Sequence, residues 1–263
     1  MNKKISSIAG VTLVELLIGI VISMIMMAAM FTSYQAVNNS YSQVIDRAKI
    51  SQTGRNIVGM IVKDIRLAGF RYFDDTSKSP TNYVPILITK AKGSGCDKID
   101  IMYSDKRVKP ATKPKVYIYT TYKITYECKQ SNILDKKTKK KISAFAIYKS
   151  KSKWDGSDWE SPTNSTDDLV YKDEMIVDYV QDFILFPIDD KGKIINPTPT
   201  TLANSNKIKV IDILLSVRSQ NIFYKNNKSK TIYSLDKTNK NFNDKFLREQ
   251  IVVSAHTRNM GLQ

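Results

Sequence analysis

The run from Val11 to Phe31 is apolar except for Thr12, Glu15, Ser23 and one glycine, Gly19. A helix of about 20 such residues spans the ~30 Å hydrocarbon core of a bilayer. The segment therefore predicts a single membrane-crossing helix and leaves only the remaining chain to build a water-soluble core. Lys3 and Lys4 precede the run, and the next basic residue is Arg47. Positive charge on the near side places the N-terminus in the cytoplasm and the long C-terminal part outside. A secretory signal would carry a small-x-small cleavage site after its apolar region. Thr32, Ser33, Tyr34 and Gln35 provide none.

Glu15 is the anomaly in this segment. A carboxylate inside an apolar span costs roughly 2.5 to 3.5 kcal/mol unless it lies near the interface or finds a partner. Gly10-Val11-Thr12-Leu13-Val14-Glu15-Leu16-Leu17-Ile18-Gly19 resembles the prepilin cleavage motif of type IV pilins and of type II secretion pseudopilins. The resemblance implies cleavage after Gly10 by a prepilin peptidase and a mature chain that starts at an N-methylated Val11. It also implies that Glu15 sets assembly register by pairing with the Val11 amine of a neighbouring subunit. A buried carboxylate and a buried amine are each expensive alone and much cheaper together.

Beyond the span, Tyr34, Val37, Tyr41, Val44, Ile45, Ala48, Ile57, Ile61, Ile65 and Ala68 recur at helical spacing, and no proline occurs before Pro80. One helix from about Val11 to about Leu67 is predicted, its second half offering a stripe to a globular domain. Gly54 and Gly59 are its expected weak points. Gly69 suits the left-handed residue that closes a helix. Asp64-Ile65-Arg66-Leu67-Ala68-Gly69-Phe70 resembles the helix ending of PilW-type minor pilins and, more loosely, of GspJ-type pseudopilins.

After Gly69 the pattern alternates as strands do: Val84–Thr89, Lys98–Ser104, Val116–Glu127, Ser143–Ser150, Glu174–Pro187, Lys207–Val217 and Ile251–Ala255. An α+β fold follows, a long N-terminal helix packed on antiparallel sheet. The expected layout is a leader at 1–10, a transmembrane and assembly helix at 11–31, its continuation at 32–69 and a β-rich globular domain at 70–263. The stretches 175–183, 210–218 and 251–259 resemble strands of the PilW and GspJ types.

Cys96 and Cys128 lie equally far from residue 112, inside the turn-like run 109–114. A symmetric hairpin would set them opposite each other. A disulfide fits an oxidising compartment, and two buried thiols are the other reading. The formal charge of +16 is spread over many lysines. Within it, Lys136, Lys137, Lys139, Lys140 and Lys141 form a run that either binds polyanions such as DNA or is a solvated loop. Asp155-Gly156-Ser157-Asp158 lacks the ligand spacing of a calcium loop and reads as a surface turn. His256 is the only histidine, so a histidine cluster for a metal cannot form, and a hydrolase triad would need that single residue on an expected edge strand. No catalytic, metal or cofactor site is expected.

These resemblances imply a minor pilin that primes type IV pilus assembly near the tip. Its partners would be other minor pilins, the major pilin, the prepilin peptidase and the inner-membrane assembly platform. A GspJ-type pseudopilin and a DNA- or surface-binding pilus subunit are the alternatives. The expected location is the bacterial inner membrane before assembly, then the periplasm and the cell-surface pilus.

Overall fold

A computed structural model describes residues 10–72, 80, 83–91, 96–108, 117–134, 139, 141–142, 144–160, 169–196, 198, 200–233 and 239–260. With no proline to interrupt it, the first long element is one helix, α1 (Leu13–Leu67). The chain divides into two compact units, Met1–Ala48 and Lys49–Gln263. In the first, every residue from Gly10 to Val44 is exposed. In the second, Ile57, Val58, Ile61 and Ile65 form a buried stripe at helical spacing within the hydrophobic core. The stripe is thus shorter than the periodicity predicts. Tyr34, Val37, Tyr41 and Val44 share its spacing but are exposed, and packing begins with the partly buried Ile50.

The strands are β1 (Ile86–Thr89), β2 (Lys98–Val108), β3 (Tyr117–Gln130), β4 (Phe145–Trp154), β5 (Trp159–Glu160), β6 (Tyr171–Ile188), β7 (Val210–Arg218), β8 (Lys228–Ile232), β9 (Lys240–Asp244) and β10 (Arg248–His256). A one-turn helix, α2 (Leu202–Ser205), precedes β7. The main sheet runs β1-β2-β3-β4-β6-β7-β10, with β5 paired to β4, and every pairing is antiparallel. β8 and β9 form a separate ribbon. Along β3 the period of two is plain: Tyr122, Ile124, Tyr126 and Cys128 are buried while Lys123, Thr125 and Glu127 are half-buried. β6 carries register shifts against both neighbours, with Tyr179 at φ +55° beside them. Its Pro187 is tolerated because the pairing with β4 ends at Val180.

α1 closes at Gly69, whose φ of +75° is the left-handed conformation glycine adopts without steric cost. Asn259 caps the same end, its Nδ2 donating to the Arg66 carbonyl at 3.0 Å. Gly54 and Gly59, the expected weak points of α1, differ in their surroundings. A Cβ on Gly54 would lie 2.3 Å from Ile251 Cδ1, whereas one on Gly59 would meet nothing within 4 Å. Gly54 is the place where β10 reaches the helix. Gly59→Ala should therefore stabilise the detergent-solubilised protein by about 1 kcal/mol in guanidinium unfolding. Gly54→Val should destabilise it, because Ile251 would have to give up its seat.

One polar network joins α1 to the sheet. The Tyr126 hydroxyl donates to Asp64 Oδ2 at 2.5 Å, and Lys149 Nζ lies 2.9 Å from the same oxygen. Burial, reinforced by the negative charge of Asp64, pushes the Tyr103 and Tyr126 phenols above the usual tyrosine range and raises Tyr171 to about 12. Above pH ~10 the unfolded chain releases these protons while the native chain holds them. Their contribution to stability is complete below that pH and is lost as pH rises toward the folded values. The expected alkaline titration has tyrosinate absorbance and loss of far-UV dichroism rising together. Normal titration of all tyrosines in a still-folded protein would contradict it.

Buried Asp97 ties three strands. It accepts from Lys90 Nζ at 2.8 Å, the Ala91 N–H at 3.1 Å and the Leu185 N–H at 2.9 Å. The excursion between β7 and β10 is fastened in the same manner, with Lys240 donating to Asp182 and Lys230 to the Arg248 carbonyl.

Candidate functional site

Between Val11 and Phe31, fifteen large apolar side chains are exposed. At about 1.5 to 3 kcal/mol for fully burying each of them, tens of kcal/mol of hydrophobic free energy go unrealised in the isolated chain. Such a surface is stable only in lipid or against other helices. α1 is long and apolar enough to cross a membrane. Its polar residues satisfy themselves within the helix: Ser23 Oγ donates to the Gly19 carbonyl at 2.7 Å and Thr32 Oγ1 to the Ala29 carbonyl at 2.9 Å.

The first turn is closed by a reciprocal cap. The Thr12 N–H and Oγ1 donate to Glu15 Oε2 at 2.9 and 3.0 Å, and the Glu15 N–H donates back to Thr12 Oγ1 at 3.3 Å. Thr12-Leu13-Val14-Glu15 is thus a capping box, with Thr12 at the N-cap and Glu15 three residues on. Glu15 has a local partner as well as any that a neighbour offers. Gly10 and Val11, the predicted cleavage pair, lie outside the helix immediately before this cap.

An eight-stranded antiparallel sheet joined to the C-terminal half of so long a helix is a distinctive arrangement. A solved type IV-like pilin from Thermus thermophilus superposes on 80% of this chain and 96% of its own length, with a TM-score of 0.51 and 11% identity. The fold is that of a type IV-like pilin. No family model matches the sequence, and no curated protein does.

In this pilin-like frame Cys96 and Cys128 are joined by a disulfide, with Cα atoms 5.1 Å apart. The route differs from a symmetric hairpin by one residue. β2 pairs Lys98 with Glu127, and the Cys128 N–H donates to the Asp97 carbonyl, so Asp97 occupies the place across from Cys128. Cys96 has already left the ladder and bridges Phe183 in parallel.

Of the lysine run, Lys136, Lys137 and Lys140 lie outside the described residues. Lys139 is exposed, and Lys141 Nζ donates to Asn132 Oδ1 at 3.2 Å. His256 sits on the edge strand β10. Among the described residues no three His, Cys, Asp or Glu side chains converge as a metal site would require. Asp155 organises a turn, its Oδ1 accepting from the Ser157 and Asp158 N–H groups, both at 2.7 Å. Sequence reading placed Asp64 only in the motif that ends the helix and missed its partners Tyr126 and Lys149. Its only local signal is an acid on the sheet-facing stripe of α1.

Proposed function

We propose that this chain is a minor pilin of the PilW type that primes type IV pilus assembly and ends near the pilus tip. The observation that carries the proposal is the apolar first part of α1, wholly exposed from its capping box to Val44 in a chain with a pilin-like fold. The prepilin peptidase cuts between Gly10 and Val11, and Val11 is N-methylated. The domain layout stays as read from the sequence: leader 1–10, assembly helix 11–31, continuation 32–69 and β-rich domain 70–263.

The mechanism is packing rather than catalysis. Before assembly, Val11 to Phe31 lie in the inner membrane. On extraction by the assembly platform, the same side chains bury against the helices of other minor pilins and the major pilin. Dispersion and shape fit decide the gain, because lipid is as apolar as the bundle. Glu15 then leaves its cap to meet the Val11 amine of a neighbour, and that pair fixes the axial offset.

Because glutamine also closes a capping box, Glu15→Gln keeps the helix start and removes only the charge. Glu15→Gln and Glu15→Ala should fail alike to restore surface pili to cells that lack the chain. Restoration by glutamine would reduce Glu15 to a helix cap and sink the register role. Loss of secreted proteins with pili intact, on deleting the chain, would assign it instead to a GspJ-type pseudopilus.

A further inference from the structure

A cavity of about 430 Å³ opens where the end of β4 meets β3. Tyr119 and Thr121 of β3, Trp154 of β4 and the turn residues Asp155 and Ser157 line it, and among the described residues no aliphatic side chain does. Its size lies within the range of small-molecule sites. Trp159 packs edge-on against Trp154 with ring centroids 5.3 Å apart, and Lys123 Nζ lies 4.4 Å above the Trp159 ring. The aromatic wall is therefore braced from behind. The polar wall is also fixed. Asp155 Oδ1 accepts from two backbone N–H groups and from Ser157 Oγ at 2.9 Å, while Oδ2 has no hydrogen bond among the described residues. Gly156, at φ +106°, permits this tight loop.

We propose that this cavity binds a pyranose ring of a glycan. A sugar ring has an apolar C–H face and a rim of hydroxyls, and the cavity offers the complement of each: aromatic surface at Tyr119 and Trp154, and hydroxyl and carboxylate oxygens at Ser157 and Asp155 Oδ2. A lipid tail finds no aliphatic lining among the described residues. A nucleic acid would also stack on the aromatic residues, and the net charge of +16 would draw it in. The wall carboxylate opposes that ligand. The turn's own donors hold the Asp155 carboxyl below the usual range, so it is ionised at neutral pH and repels phosphate while accepting from a sugar hydroxyl.

Trp154 and Trp159 are the chain's only tryptophans, so emission excited selectively at tryptophan reports on the cavity wall and the ring packed against it. The full-length protein is held in a detergent without a sugar headgroup and titrated with glucose, galactose, N-acetylglucosamine and their disaccharides, with an oligothymidylate in parallel. Tryptophan emission and saturation-transfer NMR of the sugar are read together. At least one saccharide should bind saturably, and Tyr119→Ala should weaken it about tenfold or more. Asp155→Asn keeps an acceptor oxygen for the turn. It should weaken the saccharide severalfold and leave far-UV dichroism unchanged, whereas it would strengthen an oligonucleotide held at the same place. Absence of saturation transfer from every sugar, binding of the oligothymidylate alone, or saccharide binding indifferent to both substitutions would overturn the proposal.

Discussion

Replacing Asp64 with alanine should lower the unfolding free energy of the detergent-solubilised protein by about 3 to 5 kcal/mol, the range for removing one partner of a buried pair. Asp64 is 7% exposed, so its loss strands Lys149 and the Tyr126 hydroxyl where water reaches them poorly. Part of the cost is the orphaned ammonium, whose Nζ lies 5.1 Å from the centroid of the Tyr126 ring. Asp64→Leu combined with Lys149→Met removes both charges and should recover most of the loss, as apolar replacement of buried pairs commonly does. Equilibrium guanidinium unfolding of the wild type, both singles and the double gives the coupling energy directly. A double variant no better than Asp64→Ala would contradict the pairing.

Removing the Cys96–Cys128 bond should be nearly as damaging. The two residues are 32 apart in sequence, and chain-entropy arithmetic for such a loop gives about 3.7 kcal/mol. The bond also stands beside the buried Asp97 carboxylate that joins the start of β2 to Leu185 and Lys90. Cys96→Ser with Cys128→Ser should shift the guanidinium midpoint to match, and dithiothreitol should reproduce that shift in the wild type alone. Equal response of both proteins to the reductant would remove the disulfide from the account.

The fold was legible where local signals act. Proline-free helical periodicity brought out α1, and alternation brought out β3, where Tyr122, Ile124 and Tyr126 point one way and Lys123 and Thr125 the other. β8 and β9 escaped because Lys228–Ile232 and Lys240–Asp244 are mostly polar, leaving no hydropathy alternation to read. The two residues of β5 are too few for any pattern. Contacts between distant segments were invisible for a different reason. Asp64 meets Tyr126 across 62 positions, and Gly54 meets Ile251 only because the sheet returns to the helix at its last strand. Periodicity names a face, not the residue that will sit on it.

The candidate site divides along the same line. The apolar run and its acid are contiguous, and both stand out in the sequence. Thr12 three places before Glu15 carries the capping-box spacing, a signal that reading Glu15 only as a charge in lipid passes over. The cysteine arithmetic missed by one residue, since it assumed that Cys96 stays in the hairpin ladder when Asp97 takes that place. The turn at Asp155 was readable as a turn, but the cavity beside it needs Tyr119 and Thr121 from another strand.

Everything proposed for assembly depends on α1 keeping its apolar half while losing what precedes Val11. Intact-mass spectrometry of the membrane-extracted protein from cells with and without the prepilin peptidase measures this most directly. The account predicts a chain that begins at Val11 and carries one methyl group when the enzyme is present, and an untrimmed chain when it is absent or when Gly10→Ala is introduced. An untrimmed chain in cells that possess the enzyme, or cleavage beyond Phe31 that discards the apolar segment, would contradict it.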